Sequence, residues 1–378
     1  MFVATVILLL VALLTDGYIW FNFLRGGALL WSALHWLPTA ALVLAIALAA
    51  SGVAQDGAFR AIVLLVVCAV LPKLVFTLVS LLGRLAGLLC HGAAPVADVA
   101  GAAVALVVLG CAIYGSVAGW RRLVVRPVDV ATPSLPAAFN GYRIVHISDL
   151  HLGTYASAPE AVDRIVDTIN SLHADLVVFT GDIVNGYPDE LTPFLGRLSQ
   201  IKARDGVVSV LGNHDYCMYH SYAPGDSPEK AVRRLIEAER RMGWQLLLNQ
   251  HITLHRGADS IAVVGVENSS RPPFPDRGDL PKAIGQHPCP YSIVLTHDPS
   301  HWRRAVLPAT SSQLTLSGHT HAMQLKIGSF SPSQWIYPEW GGVYREGSRY
   351  LNVNTGTGGN VPFRFGAWPE IALITLHQ

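Results

Sequence analysis

The first third of the chain is almost uniformly apolar, and the remainder alternates between short apolar runs and polar stretches. Apolar segments extend over roughly 2–24, 28–50, 61–83 and 97–119, each close to the ~20 residues that a helix needs to cross a bilayer. Residues 1–120 carry only seven charged residues, although the whole chain has 27 basic and 26 acidic ones. The pattern predicts about four transmembrane helices in 1–120, and the first is retained because no basic segment precedes it.

Arginines beside these segments predict on which side the rest of the chain lies. With four spans, the loop at 51–60 and everything after residue 120 share one side of the membrane. The arginines on that side are Arg60, Arg121, Arg122 and Arg126, against Arg25 and Arg84 on the other. Because short cytoplasmic loops carry an excess of Lys and Arg, we expect an inner or plasma membrane protein in which everything after residue 120 is cytoplasmic.

A lysine inside the third span admits two interpretations. Lys73 directly follows Pro72, and an intramembrane lysine can mark a conduction or lipid headgroup site. Alternatively, its side chain extends to the membrane surface, or the helix breaks at Pro72. The pattern favours the second interpretation, because the sequence of these helices indicates no paired acids and no polar face.

Polar, ligand-type residues follow five short apolar runs in the second part of the chain. Residues 121–140 come first and are basic and proline-containing, which predicts a linker. The runs then cover 143–148, 176–180, 207–211, 291–295 and 313–317. The residues that end them are Asp149, Gly181-Asp182, Gly212-Asn-His-Asp215, Thr296-His297 and Gly318-His-Thr-His321.

Continuous apolar runs of this length are typical of strands that are buried on both faces. Helical patterns near 159–172 and 227–242 add the helices of an α/β domain. In open α/β sheets, sites form at the carboxyl ends of the strands. We therefore predict one α/β domain over 141–378, in which the polar strand ends converge.

The residues at these strand ends are of the types that bind metal ions. Asp149 and His151 are two positions apart and leave their strand on one side, and Gly181 lets the backbone turn sharply before Asp182. Mixed imidazole, carboxylate and amide ligation suits Mn, Fe or Zn. The candidate ligands are Asp149, His151, Asp182, Asn213, His297, His319 and His321.

The ordered motifs resemble the signature of the calcineurin-like metallophosphoesterases over about 141–378. The resemblance implies a β-sandwich flanked by helices and two divalent or trivalent metal ions. It implies that the first ion is held by Asp149, His151, Asp182 and His321. It implies that the second is held by Asp182, as a bridge, with Asn213, His297 and His319.

The same resemblance implies two catalytic residues beside the ligands. His214 matches the family histidine that stabilises charge on phosphorus or protonates the leaving oxygen, and Asp215 would orient His214. Other histidines have no place in the motif, and His146, inside the first run, is expected in the core.

The C-terminal tail is similar to that of a membrane-anchored branch of the family, which includes phosphodiesterases and an enzyme that cleaves UDP-2,3-diacylglucosamine. Ala322-Met323 stands where many members have Gly-Gly, so a substrate preference does not transfer directly. Arg364 either contacts a phosphate or is a surface arginine. Four aromatic residues either form an apolar lip toward the membrane or pack within a long loop. They are Trp335, Tyr337, Trp340 and Tyr344.

Taken together, these features predict a membrane-tethered phosphoesterase that hydrolyses a phosphate ester or phosphodiester through a metal-bound hydroxide. The expected partner is a phosphate-containing substrate, and a membrane-embedded enzyme makes a lipid-linked one a candidate. A net charge of only +1 predicts no nucleic acid as a stable partner. Two alternatives stay open: a lipid-linked pyrophosphatase of the UDP-diacylglucosamine hydrolase type, and a non-catalytic metal-binding membrane module.

Overall fold

The computed structural model describes residues 2–51, 55–286 and 289–378, so part of the loop predicted at 51–60 lies outside the described residues. The chain forms two compact units. We call the first, residues 1–118 with 361–363, the helical unit, and the second, residues 119–360 with 364–378, the sandwich unit.

Apolar helices make up the helical unit. They are α1 (Phe2–Ile19), α2 (Leu29–Ala50), α3 (Gln55–Leu65), α4 (Leu71–Ala86) and α5 (Ala93–Val117). A π-helical turn extends α1 to Leu24, and another at Val66–Val70 joins α3 to α4. In the described part of the chain, four helical segments are therefore long and apolar enough to cross a membrane: Val3–Leu24, Leu29–Ala50, Gly57–Ala86 and Ala93–Arg121.

Lys73 lies in an ion pair and does not extend away from its neighbours. Its Nζ donates to Asp16 Oδ1 on α1 at 2.8 Å and to the His35 carbonyl on α2 at 2.7 Å. Thr39 Oγ1 donates to the second oxygen of Asp16 at 2.5 Å. The chain also stays helical through Pro72, because the preceding π-turn absorbs the irregularity. The sequence-based interpretation of Lys73 was therefore wrong.

A second polar group links α1, α4 and α5. Arg84 Nε donates to the Tyr18 hydroxyl at 2.7 Å and its Nη2 lies 3.6 Å from Asp98 Oδ2, while Ser80 donates to the other oxygen of Asp98. The expectation of helices without a polar face was wrong as well. Hydropathy averaged along one helix could not reveal these polar contacts, since each helix contributes only one to three of the polar residues that form them.

Two mixed sheets form the sandwich unit over residues 119–286 and 289–378. One sheet has the strand order β1-β12-β2-β3-β4-β5 and the other β10-β11-β9-β8-β7-β6. The strands are β1 (Val124–Ala131), β2 (Arg143–Ile147), β3 (Leu176–Phe179), β4 (Val207–Ser209), β5 (Gln245–Leu246), β6 (Gln250–Arg256), β7 (Asp259–Gly265), β8 (Ser292–Leu295), β9 (Leu314–Ser317), β10 (Gly342–Glu346), β11 (Arg349–Val353) and β12 (Glu370–His377).

The sheets pack face to face, and helices cover their outer faces. The core between the sheets contains Ile144 and Val178 from the first sheet and Ile293 and Leu316 from the second. The helices are α6 (Pro159–Ser171), α7 (Leu195–Leu198), α8 (Pro228–Arg241), α9 (Leu280–Ile284) and α10 (Leu307–Ala309). The predicted α/β sandwich flanked by helices is therefore confirmed.

Residues 121–140, where we predicted a linker, include strand β1 of the first sheet. Val124–Ala131 pairs in parallel with β12 along its whole length. Val128 and Val130 face the core while Pro127, Asp129 and Ala131 are exposed, an alternation that the prolines concealed. Pro127 is tolerated because β1 is an edge strand, where a missing backbone donor costs no ladder bond on the open side.

Candidate metal centre

Left-handed backbone conformations bring the candidate ligands out of the strand ends. Asp149, His151, Asp182, His319 and His321 all have positive φ, between 47° and 74°. Non-glycine residues seldom adopt this region, and such strain concentrates at functional sites. The chain thus turns at the ends of β2, β3 and β9, so that side chains from separate strands converge.

Close backbone approach explains the glycine before Asp182. Gly181 has φ of 97°, and a Cβ there would lie 2.7 Å from the Cα of Gly212. Only glycine allows the loops that carry Asp182 and Asn213 to pass this closely.

The first cluster of candidate ligands consists of Asp149, His151, Asp182 and His321, whose ligand-type atoms lie within 4.8 Å of one another. His151 Nε2 is 3.1 Å from His321 Nε2 and 3.6 Å from Asp182 Oδ2. His321 Nε2 is 3.2 Å from Asp149 Oδ1. All four residues are buried, so the cluster concentrates lone pairs with little access to water.

The second cluster shares Asp182 with the first and adds His297 and His319. His297 Nε2 lies 3.1 Å from Asp182 Oδ2 and 3.2 Å from His319 Nδ1. The amide oxygen Oδ1 of Asn213 completes it, at 2.8 Å from His319 Nδ1 and 3.2 Å from His297 Nε2. The structure therefore brings all seven candidate ligands together, in the grouping that the family resemblance implies.

Hydrogen bonds on the outer side fix which ring nitrogens face the clusters. His297 Nδ1 lies 2.7 Å from the Thr180 carbonyl oxygen and donates to it, which leaves Nε2 as a lone-pair donor. His319 Nε2 lies 2.7 Å from the Tyr337 hydroxyl, so that Nδ1 faces Asn213. Sequence reasoning had not assigned Tyr337 this contact.

Burial and mutual repulsion dominate the electrostatics of the clusters. Loss of solvation raises the pKa of Asp149 to about 6 and holds the pKa values of His151 and His321 well below their ordinary range. Burial would lower the pKa of His297 too, but the Asp182 and Asp149 carboxylates and the hydrogen bond to Thr180 together outweigh it and raise that pKa to about 10. Divalent first-row ions bind carboxylates, amide oxygens and imidazoles, and their binding would displace the proton that the carboxylates hold on His297. These residues therefore fit a pair of such ions.

The His214 ring is held by Asn185 and not by Asp215. Its Nδ1 donates to the Asn185 carbonyl oxygen at 2.5 Å. The Asp215 carboxylate accepts instead from the backbone N–H groups of Asp182 at 2.7 Å, Ile183 at 2.8 Å and Gly212 at 2.8 Å. The expectation that Asp215 orients His214 is therefore corrected: Asp215 ties together the two loops that carry Asp182 and Asn213.

Arg364 is neither a surface residue nor free for a phosphate. It is 1% exposed, and its guanidinium donates to the carbonyl oxygens of Gly358, Thr355 and Ala367. Its Nη2 also lies 3.2 Å from His321 Nδ1. Arg364 therefore braces the C-terminal loop behind His321. His146 is buried as expected, and Thr180 and Asn352 contact its two ring nitrogens.

A cleft of about 720 Å³ adjoins the second cluster. Phe274 and Tyr337 line it, and their rings lie 5.0 and 5.4 Å from the His319 ring, centroid to centroid. The remaining walls are three prolines and Ile336, together with Arg271, Arg303, Arg304, Asp298, Glu339 and Ser300. Its volume is in the range of small-molecule sites, and its charged side chains are of both signs: Arg303 pairs with Glu339, and Arg304 donates to Ser269.

The sandwich, the strand-end ligands and the paired clusters are the features that the resemblance to the calcineurin-like metallophosphoesterases implies. The sequence profile of the calcineurin-like phosphoesterases matches residues 142–323. A transmembrane protein with metallophosphoesterase domain from Danio rerio is 31% identical over 71% of this chain and 60% of its own length. The chain thus spans less than two thirds of that relative's length.

Two bacterial relatives are matched over most of their length. YkuE of Bacillus subtilis, described as an uncharacterized metallophosphoesterase, is 32% identical over 64% of this chain and 81% of its own length. LpxG of Chlamydia trachomatis, a UDP-2,3-diacylglucosamine pyrophosphatase, is 30% identical over 64% of this chain and 85% of its own. The chain belongs to the calcineurin-like phosphoesterase family, and its relatives there include proteins named as transmembrane proteins.

Proposed function

We propose that this chain is a two-metal phosphoesterase that acts at a membrane surface. The observation that carries the proposal is the sharing of Asp182 by both ligand clusters. One carboxylate between two sets of donors favours two ions held close together, the arrangement that clamps a phosphoryl group.

The seven ligands would hold the two ions as the family resemblance implies. Asp149, His151 and His321 serve the first ion, and Asn213, His297 and His319 serve the second, with Asp182 common to both. Such ions, when bound, activate water at neutral pH and withdraw charge from the phosphoryl oxygens. Manganese, iron and zinc all suit this donor set.

His214 acts on the substrate and not on an ion. Its Nδ1 is occupied by the Asn185 carbonyl, so Nε2 is the nitrogen that remains for a phosphoryl oxygen or a leaving oxygen. The ring lies 4.8 Å from the His151 ring, centroid to centroid, within reach of a group bound between the clusters. A protonated Nε2 there would stabilise charge that develops on the phosphoryl group.

The cleft beside His319 takes the part of the substrate beyond the scissile phosphate. Its volume and its aromatic and proline walls favour a diester or pyrophosphate that carries a second bulky group over a simple monoester. A lipid-linked pyrophosphate is the second candidate substrate, which the similarity to the Chlamydia LpxG protein supports.

Hydrolysis of bis-p-nitrophenyl phosphate by the detergent-solubilised full chain, with added manganese, tests the enzyme class. We expect metal-dependent release of p-nitrophenol that a chelator abolishes and manganese restores. No turnover by protein with both ions bound would favour a non-catalytic metal-binding module instead.

The sandwich unit is proposed to lie in the cytoplasm, because the arginines that flank the spans favour that side. A C-terminal reporter fusion that is active only outside the cytoplasm checks this assignment. We expect no signal from it, and a strong signal would reverse the topology.

A further inference from the structure

Large apolar side chains are exposed along one loop of the sandwich unit, residues 323–336, which we call the apolar loop. Its five exposed members are Met323 at 43%, Ile327 at 62%, Phe330 at 37%, Trp335 at 74% and Ile336 at 63%. Among the other described residues of that unit, only Val125, Met218, Tyr219 and Val343 are large, apolar and comparably exposed. Isolated exposed apolar residues are ordinary, but a contiguous group marks an interaction surface.

The loop is held in shape while these side chains face outward. Ser331 Oγ donates to the Ala322 carbonyl at 2.7 Å, and Ile327 and Phe330 exchange backbone hydrogen bonds at 2.9 and 3.0 Å. The Phe330 and Trp335 rings meet edge to face at 5.5 Å. The exposure therefore belongs to an ordered loop with its own hydrogen bonds, and packing within the loop does not bury its aromatic side chains.

The charge of the loop suits an anionic surface. Residues 323–336 contain no Asp or Glu and one basic residue, Lys326. No carboxylate therefore opposes the approach of the loop to a leaflet that contains anionic lipids, near which one lysine contributes about 1 kcal/mol of attraction. Tryptophan favours the boundary between acyl chains and headgroups. The helical unit of the same chain has, in its described residues, four helices that could cross a bilayer. The loop would therefore meet the bilayer surface at a high effective concentration.

The position of the loop connects it with the candidate metal centre. It begins two residues after His321, and Tyr337, which directly follows it, contacts His319 at 2.7 Å. Ile336 itself lines the cleft beside His319. An apolar surface and the candidate centre thus meet at one cleft.

We propose that the apolar loop inserts its side chains into the headgroup boundary of the bilayer and delivers a lipid phosphoester to the cleft. The substrate class then follows: the scissile phosphate belongs to a membrane lipid whose acyl chains remain in the bilayer. The docking does not depend on catalysis, whereas the substrate class rests on the proposed phosphoesterase function.

Fluorescence quenching tests the docking without any turnover. The full chain is placed in nanodiscs of phosphatidylethanolamine and phosphatidylglycerol, with or without a lipid that carries a doxyl quencher near the headgroup. The emission of Trp335 is obtained as the difference between the wild type and Trp335→Phe. We expect this component to be quenched by the doxyl lipid. An unquenched Trp335 component would overturn the proposal, including the case in which a second copy or another protein covers the loop.

Kinetics test the substrate class with two probes that share one leaving group. Phosphatidyl-p-nitrophenol in vesicles reports on a lipid-borne ester, and bis-p-nitrophenyl phosphate on a soluble one. For the double variant Ile327→Ser with Trp335→Ser, we expect KM for the vesicle-borne ester to rise about tenfold or more, because two apolar anchors are lost. Turnover of the soluble ester should stay within about twofold of the wild type. Val343→Ser, an exposed apolar residue outside the loop, should change neither.

Each remaining outcome has a definite meaning. Equal turnover of the lipid ester by variant and wild type would overturn delivery by the loop. Parallel loss of both activities at unchanged thermal stability would overturn it too, because the loop would then support the centre itself. If the wild type hydrolyses neither ester, the proposed phosphoesterase function fails, while the quenching experiment still decides the docking.

Discussion

Both units of this chain bury charged side chains, but they satisfy them in opposite ways. In the helical unit, Asp16 is 1% exposed and lies opposite groups of complementary character. Lys73 donates to one of its oxygens and Thr39 to the other. Both oxygens of the buried Asp16 carboxylate thus accept hydrogen bonds from neighbouring helices. Such contacts within the protein are what a buried ion needs to offset its desolvation.

In the sandwich unit, buried groups of like character face one another. His151 and His321 approach at 3.1 Å through their Nε2 atoms, and His297 and His319 at 3.2 Å. Lone pairs at these distances repel unless a proton or a cation lies between them. The comparison teaches that complementary buried charge stabilises a fold, whereas convergent buried charge indicates a ligand from outside the chain.

Removing the shared carboxylate is the change with the largest expected effect. Asp182→Ala should reduce hydrolysis of bis-p-nitrophenyl phosphate to background, about four orders of magnitude or more, and lower the bound metal from two equivalents per chain. Activity and metal content of the purified full chain check this. Retention of both ions by the variant would contradict the shared role of Asp182.

His214→Ala separates catalysis from metal binding. We expect kcat to fall about 10²- to 10⁴-fold, as is usual for an acid–base group, with metal content unchanged. His220→Ala is the matched control, because His220 is exposed nearby and stacks on Tyr187 at 4.3 Å. Full activity of the His214 variant would refute its assigned role.

The Lys73–Asp16 ion pair of the helical unit should stabilise the folded chain. Lys73→Met and Asp16→Leu should each destabilise the full chain by about 3–5 kcal/mol, because each leaves a buried charge or polar partner uncompensated. The double variant should be less destabilised than the sum of the two. Thermal unfolding in detergent measures the cycle, and strict additivity would show that the pair does not interact.

Glu239 is a buried carboxyl group that is kept neutral by protonation and has neither an ion-pair partner among the described residues nor a place in the ligand clusters. Its substitution has the smallest expected effect on stability. Burial, with a contribution from the Asp215 charge, raises its pKa to about 8 from an ordinary 4.5, so it is neutral at pH 7 in the folded chain. Because the unfolded chain loses this proton near pH 4.5 and the folded chain near pH 8, stability should decline as pH rises through that interval.

Glu239→Gln should remove this decline and gain about 1–3 kcal/mol relative to wild type near pH 8. Ser209 Oγ lies 2.6 Å from Glu239 Oε2 and can donate to the amide oxygen of the variant as well. Melting temperatures of both proteins between pH 5 and pH 8 check the effect. Parallel curves would show that Glu239 is ionised in the folded state.

Local patterns in the sequence were sufficient to predict part of the fold and most of the candidate metal centre. Apolar runs that end in Asp, Asn or His predicted both the strands and the convergence of the seven ligands, because parallel strand ends share one edge of a sheet. The alternation that places β1 in the sheet was present as well, but Pro127 and the basic residues around it suggested a linker.

Contacts between distant segments could not be predicted from such patterns. Lys73 meets Asp16 through helix packing, and Arg364 is buried because three loop carbonyls surround it. His214 is held by Asn185 because of the backbone path after Asp182, where a left-handed turn redirects the chain. Each depends on conformations that residue identity alone leaves undetermined.

Electron paramagnetic resonance of the manganese-loaded full chain tests the two-metal claim most directly. Two Mn²⁺ ions that share the Asp182 carboxylate should be exchange-coupled and give a dinuclear multiline spectrum at two equivalents of manganese. Asp182→Ala should lose that spectrum. A mononuclear six-line spectrum at every loading of the wild type would contradict the shared site and, with it, the two-metal account.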